Sequence, residues 1–361
     1  MSYPELEGFA SLIRNIGDEC TLLRICDGKL VAGSRNGSVV CWDISDGREI
    51  WRLSLDGPCS SSESDGVSIF FAESDKIHAA NLMTGEILWS INLEGSSDLI
   101  FLTGRALWAT SSFYNFELQD YVDGAVWRID SDGDISGRWD IEGRAWSLSA
   151  NEEEATIGLS RPRCGYAEVS QDKGVLYQSL GNSSPVTVGG FSNDGLTYMG
   201  HSDGVVSKIV KSGPLQYELA SSAINSIEIN KGLVVGTETG EIICHDNHKS
   251  WEVMSRGNVD WVKSGPSPVK GDSLWACAWS DKSIVTLIEM SSGSIELQLS
   301  HQYRIGISFS SKDLVALGDD VGGIYIFERS VLSRRLSRAN EIGSMSKDDV
   351  LLRRKLRNLR R

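Results

Sequence analysis

Three places in this 361-residue sequence gather side chains with the potential for chemistry. His245 and His248, in CHDNHKSW, stand at i and i+3, an interval at which a helix can turn two imidazoles toward one metal. Asp130-Ser131-Asp132-Gly133-Asp134 crowds carboxylates around a glycine, as calcium loops do. Seven cysteines (Cys20, Cys26, Cys41, Cys59, Cys164, Cys244 and Cys277) offer thiols for disulfides, metals or nucleophilic attack. Each set fails its own test. No Cys or carboxylate cluster completes four ligands around the two histidines, which fall where the chain turns. Counted from Asp130, the glycine falls at position four and Ile141 at position twelve, where an EF-hand needs glycine at six and glutamate at twelve. The cysteines are odd in number, contain no C-x-x-C pair, and several sit inside apolar strand patterns as small hydrophobes. His78, His201 and His301 have no partner that the sequence identifies, and no Ser–His–Asp arrangement is detectable. The residues therefore point to no catalytic centre, no metal and no cofactor.

Recognition is the chemistry that remains. Trp108, Trp127, Trp139, Trp146, Trp261, Trp275 and Trp279 either pack between sheets or form an exposed aromatic face, and packing is favoured because Trp is more often buried. The stretch holding Trp261, Trp275 and Trp279 is irregular, with Gly265-Pro266-Ser267-Pro268 inside it, and is the first choice for a partner-binding face. The end of the chain is the other candidate. Leu332, Leu336 and Ala339 recur at helical spacing, as do Leu352, Leu356 and Leu359, and Gly343 is expected to close the first helix. The second stripe stands among Arg353, Arg354, Lys355, Arg357, Arg360 and Arg361, which with its leucines form the expected partner-binding tail.

A repeat supplies the elements that would hold these residues. Residues 22–53, LLRICDGKLVAGSRNGSVVCWDISDGREIWRL, run strand, turn, strand ending in Gly, turn, strand, turn and closing Trp. Residues 223–253 repeat the pattern, and 305–327 repeat its first three strands. Units at 67–91, 98–141 and 186–210 follow more loosely, and 145–180 and 260–299 diverge most; the unit at 98–141 carries an insertion, SSFYNFELQDYV. Second strands are expected to begin near Leu30, Ile77, Leu107, Thr156, Leu196, Leu233, Leu274 and Leu314. The 284 residues from Leu30 to Leu314 cover seven intervals, a mean of 40.6, which is the spacing of four-stranded propeller blades. Asp-Gly and Asn-Gly pairs between the runs supply the positive φ of tight hairpins. The pattern predicts an all-β closed propeller of eight blades, or seven if a divergent unit fails, over 1–329, with a basic helical tail over 330–361. The last blade lacks a fourth strand after Phe327, and Phe9–Ile16 is expected to supply it and close the ring.

CWDISDGREIW (41–51) and AANLMTGEILW (79–89) resemble the repeat of pyrroloquinoline-quinone-type propellers, and Leu30–Asp43, with Trp42-Asp43, resembles a WD-repeat. The resemblance spans roughly residues 8–329 and implies architecture, since propellers host many unrelated functions. Quinoprotein dehydrogenases, the enzymes it brings to mind, bind quinone with calcium and often beside a disulfide of adjacent cysteines. The sequence has no adjacent cysteines and no such ligand set.

Charge divides the chain. Residues 330–361 hold 10 Lys/Arg and 3 Asp/Glu, which leaves 25 basic and 46 acidic residues, a net −21, in 1–329. No apolar run is long enough for a membrane helix, and MSYPELEGFASLIRN has no basic start or apolar core, so the expected location is a reducing cytoplasm. The expected function is a non-enzymatic scaffold for an unidentified protein partner, with a monomer favoured. A nucleic-acid-associated factor using the tail, and a small-molecule enzyme or sensor using the central channel, are the alternatives.

Overall fold

A sheet of alternating strands has two faces to hide, and a small sheet hides both only against other sheets. The computed structural model describes residues 3–344 apart from 105, 182, 193, 231 and 247–249, with the side chains of 340–344 not described. It contains eight four-stranded antiparallel sheets. Blades one to seven occupy residues 20–54, 59–92, 96–142, 145–178, 186–218, 224–254 and 258–301, so both divergent units form full sheets. Blade eight joins Ile307–Ser311, Leu314–Gly318 and Gly323–Glu328 to Leu12–Asn15, which pairs Leu12 with Ile326 and Asn15 with Gly323. The N-terminal segment closes the ring as its sequence required.

The first strand of every blade touches the first strands of both neighbours, blade eight against blade one included, so the first strands surround the axis. Because each blade is an antiparallel meander, second-to-third-strand hairpins and the links between blades share one face of the ring. That is the upper face here. First-to-second and third-to-fourth turns share the lower face. One expectation shifts register. Ile77 begins the third strand of blade two, Lys76–Asn81; its second is Ser68–Glu73 and its first is Cys59–Ser64. CSSSES is too polar to read as a strand, and it pairs because it lies by the axis beside blades one and three.

The Gly-x-x-x-Trp endings lock blades together on the lower face. Trp51 donates its indole N–H to the Leu82 carbonyl at 2.9 Å, and a Cβ on Gly85 would stand 2.7 Å from its ring. Trp89 repeats this toward Ser131 (3.0 Å) over Gly133, and Trp251 toward Met290 (2.9 Å) over Gly293. Glycine is required there twice over, since Gly85 and Gly293 both have φ +73° and the ring leaves no room for a side chain. At the ring closure Arg14 takes the Trp position, its Nε donating to Gly47 at 2.8 Å.

One helix, α1 (Arg329–Ser344), follows blade eight on the lower face. Arg329 pairs there with Asp272 (2.8 Å) and Asp313 (3.1 Å), both beside first-to-second-strand turns. Leu332 is fully buried in one cluster with Leu6, Phe9, Trp275 and Phe327, and Leu336 packs against it. Arg335 donates to the carbonyls of Gly8 (2.9 Å) and Ala10 (2.6 Å). The first turns of the expected 330–361 tail thus pack into the core beside blade eight. The reason is that both chain ends meet at the blade seven–eight seam, which the sequence alone does not show. Gly343 lies within the helix near its end rather than beyond it. Leu352, Arg353, Arg354, Lys355, Leu356, Arg357, Leu359, Arg360 and Arg361 lie outside the described residues. Among the described residues no helix is long and apolar enough to cross a membrane.

Candidate interaction surface

Blade three differs from the others in its central hairpin. Its second and third strands, Ala106–Asn115 and Asp120–Asp130, run 10 and 11 residues and stay paired as far as Asn115 opposite Asp120. The extra length is the SSFYNFELQDYV insertion, and it carries the hairpin up from the ring. A bulge between Phe113 and Tyr114 bends it. The turn is ordered locally, with the Asn115 side-chain oxygen accepting from the backbone N–H groups of Glu117 (2.9 Å) and Leu118 (3.0 Å). Tyr114 meets Phe116 edge-on at 5.3 Å and Tyr121 at 5.1 Å. An aromatic tip is therefore preformed, yet Phe116 is 84% exposed and Leu118 67%, with Phe113 and Tyr114 also exposed.

Below the tip the link into blade four brings up a cation. The Arg144 guanidinium lies 4.6 Å from the ring of Tyr121 and 4.6 Å from that of Trp146, and its Nη2 is 2.6 Å from the Asp98 carboxylate. Burial raises the Asp98 pKa above the ordinary carboxylate value, an effect that Arg144 offsets only in part. Trp146 remains exposed. Glu117, Asp120 and Asp123 edge the hairpin, which has no Lys or Arg from 113 to 123, and none of these three acids has an ion-pair partner among the described residues. The result is an apolar, acid-edged projection over a stacked Arg–aromatic platform. It suits binding, because large aromatic side chains and Arg carry much of the energy of protein interfaces.

The aromatic face expected on blade seven is not on the surface. Trp275 is fully buried, donates to the Pro266 carbonyl at 3.1 Å and lies 5.2 Å from Phe327. Trp261 is buried and donates to Ile305 at 2.9 Å, while Trp279 is half-buried. The packing role holds for Trp261 and Trp275, as it does for Trp108, which donates to Asn151 at 3.0 Å, and Trp127, which donates to Ser111 at 2.9 Å. The signal that would have found the exposed site was in the sequence: an insertion with Phe113, Tyr114, Phe116 and Tyr121 in a unit otherwise on pattern.

The other candidate groups have structural partners. Asp130–Asp134 is the third-to-fourth-strand turn whose Gly133 receives Trp89. His245 lies 5.1 Å from the Tyr217 ring, and His248 is outside the described residues. His78 bridges Ser90 (2.7 Å) and Glu73 (3.2 Å), and His201 meets Ser207 at 2.9 Å. His301 is held between Glu7 (2.7 Å) and Asp319 (3.0 Å), and Tyr325 donates to the same Asp319 carboxylate at 3.0 Å. On the first strands around the axis, Arg24 pairs with Glu63 and Lys263 with Glu228 (3.7 Å), each across a blade boundary. Cys20, Cys41 and Cys59 are buried, and burial pushes each thiol up to about 12, which keeps them protonated and unreactive. Among the described residues no group of three His, Cys, Asp or Glu is placed to hold a metal.

Comparison with known proteins bears on the fold. A family model described as outer membrane protein assembly factor BamB, built on the PQQ_2 repeat, matches residues 25–99. No curated protein sequence matches. Similar solved structures include the Saccharomyces cerevisiae protein Sqt1, at TM-score 0.71 and 14% identity over 89% of this chain and 99% of that one. The computationally designed protein Ika8 gives 0.70 and 13% over 87% and 98%. BamB from Moraxella catarrhalis gives 0.66 and 10% over 88% and 99%. At these identities the likeness is one of architecture: the chain is an eight-bladed β-propeller, similar in fold to these proteins.

Proposed function

We propose that the protein is a non-enzymatic scaffold that binds another protein in the cytoplasm, with the blade-three hairpin as its principal contact. The exposure of Phe116 and Leu118 on a hairpin whose turn is ordered by its own hydrogen bonds carries this reading. An apolar projection costs free energy in water and gains it back on burial in a partner, and an ordered one loses little entropy on binding. The basic segment with Leu352, Arg353, Arg354, Lys355, Leu356, Arg357, Leu359, Arg360 and Arg361 serves as a second contact. A second reading, contact with nucleic acid, is favoured by the 10 basic residues against 3 acidic in 330–361, since a body of net −21 would turn away from phosphate. The channel reading has less support, because its charged residues Arg24, Glu63, Lys263 and Glu228 are engaged with one another.

Affinity purification from native extract separates these readings. The intact chain, the Phe116→Ser/Leu118→Ser variant and a chain ending at Ser344 are compared with and without nuclease. A protein retained by the intact chain and lost from the hairpin variant supports the scaffold. Retention that depends only on the tail and disappears with nuclease moves the function to nucleic acid.

A further inference from the structure

We infer that the blade-three hairpin binds residues 350–361 of a second copy of this chain, so that two copies join by exchanging their C-terminal segments. The inference rests on the hairpin being an interaction surface, as proposed above, and names its occupant.

Complementarity comes first. The hairpin offers Phe113, Tyr114, Phe116 and Leu118 between Glu117, Asp120 and Asp123, with no cation from 113 to 123. Residues 350–361, VLLRRKLRNLRR, carry six basic residues and no acid, and Leu352, Leu356 and Leu359 stand at the spacing of one helix face. An apolar stripe edged by positive charge therefore meets an apolar tip edged by negative charge. Apolar burial supplies affinity, and the charges set register and discourage other partners.

The choice of a second copy follows from the ring. Helix α1 leaves the lower face at blades seven and eight, where Arg329 holds Asp272 and Asp313. The hairpin rises from the upper face at blade three, four blades away from blade seven and therefore across the ring. In this proposal 350–361 binds as a helix, which leaves 345–349 as the linker, and five residues reach at most about 18 Å. Crossing two four-stranded blades alone takes roughly 30 Å at about 4.8 Å between strands. Docking on its own hairpin would take this short linker from the lower face at one seam to the upper face on the opposite side of the ring, a demand that a neighbouring copy does not make. Each exchanged contact is small. Two made together are cooperative, since the first holds the second at high local concentration and closes the pair under two-fold symmetry.

The test uses full-length chains and the synthetic peptide 345–361. Light scattering over a range of concentrations should show the mass of two copies, falling to that of one copy as salt is raised. A fluorescent peptide should bind the full-length chain, and Phe116→Ser/Leu118→Ser should weaken it by about tenfold or more, the scale of a lost interface anchor. Charge exchange gives the sharper arm. Glu117→Lys/Asp120→Lys/Asp123→Lys in one chain and Arg353→Glu/Arg354→Glu/Arg357→Glu in another should each leave single copies, and mixing the two should restore the pair. Circular dichroism of each variant confirms that these surface changes leave the fold intact. A chain that stays single at every concentration and does not bind the peptide overturns the exchange. If the hairpin variant then still loses a different captured protein, the scaffold reading stands without it.

Discussion

Blades three and seven look alike in sequence: each interrupts the repeat, each has long strands and each is rich in aromatic residues. In the folded chain they are opposites. Blade seven buries Trp261 and Trp275, because Leu6 and Phe9 from the N-terminal segment and Leu332 from α1 lie in the same cluster. Blade three leaves Phe116 and Leu118 in water, because nothing among the described residues lies over the hairpin. The contrast teaches that irregularity in a repeat marks a place where something is added. Whether the addition becomes core or surface depends on what the rest of the chain lays over it.

The largest effect expected of this contrast is on stability. Trp275→Ala removes a fully buried indole and should cost about 3–5 kcal/mol, measured as a fall in the urea midpoint. The same measurement on Phe116→Ala should show less than about 0.5 kcal/mol, as for other exposed sites. Comparable losses at the two positions would erase the distinction between the blades.

Truncation sharpens it next. A chain ending at Glu328 loses Leu332 and the Arg335 hydrogen bonds to Gly8 and Ala10, and should lose roughly 2–4 kcal/mol. A chain ending at Ser344 keeps both and, at concentrations too low for copies to pair, should unfold at the same midpoint as the intact protein. Equal stability of all three chains would mean that α1 is not part of the seam.

The seam should also respond to pH. Burial lowers the His301 pKa, but Asp319 and Glu7 more than reverse that, so it lies above the ordinary imidazole value. For Asp319 burial acts upward, and hydrogen bonds from His301, Gly323 and Tyr325 hold it below the ordinary carboxylate value. A pKa raised on folding stabilises fully below about 6.5, and the gain is lost as pH climbs through the raised value; the lowered Asp319 loses its share only as pH falls below about 4. His301→Gln should therefore cost most near pH 5–6, roughly 1.5–3 kcal/mol for a hydrogen bond to a charged group, and less by pH 9. A pH-independent difference in thermal midpoint between wild type and variant would assign His301 a purely steric role.

The smallest effect concerns thiols. Cys20, Cys41 and Cys59, buried and held protonated, should not react with a thiol reagent under native conditions, while the half-buried Cys26 and Cys164 should react slowly. Labelling followed by mass spectrometry reads the order, and early labelling of Cys59 would indicate that blade two opens readily.

Much of the ring was legible from local signals. Eight units, the spacing of 40.6, the Gly-x-x-x-Trp endings and the missing strand after Phe327 all encode sheets and turns, whose residues are neighbours in the chain. Blade two was read one strand out of register because Cys59–Ser64 is polar, and only its place at the axis makes it a strand. The candidate site was legible only as an insertion. Its consequence, an exposed aromatic tip beside a stacked Arg144, needed the fold.

From the sequence alone came the repeat spacing, which favoured eight blades over seven, the expected closing strand and the separation of charge, because these follow from alternation, turn residues and composition. The tertiary structure alone decided which aromatics are covered. Arg14 on Gly47, Glu7 on His301, 294 residues apart, and Leu332 beside Leu6 join positions with no shared local pattern. Such contacts form only once the ring has brought both ends of the chain to one seam, and exposure at blade three is what remains where no such end arrives.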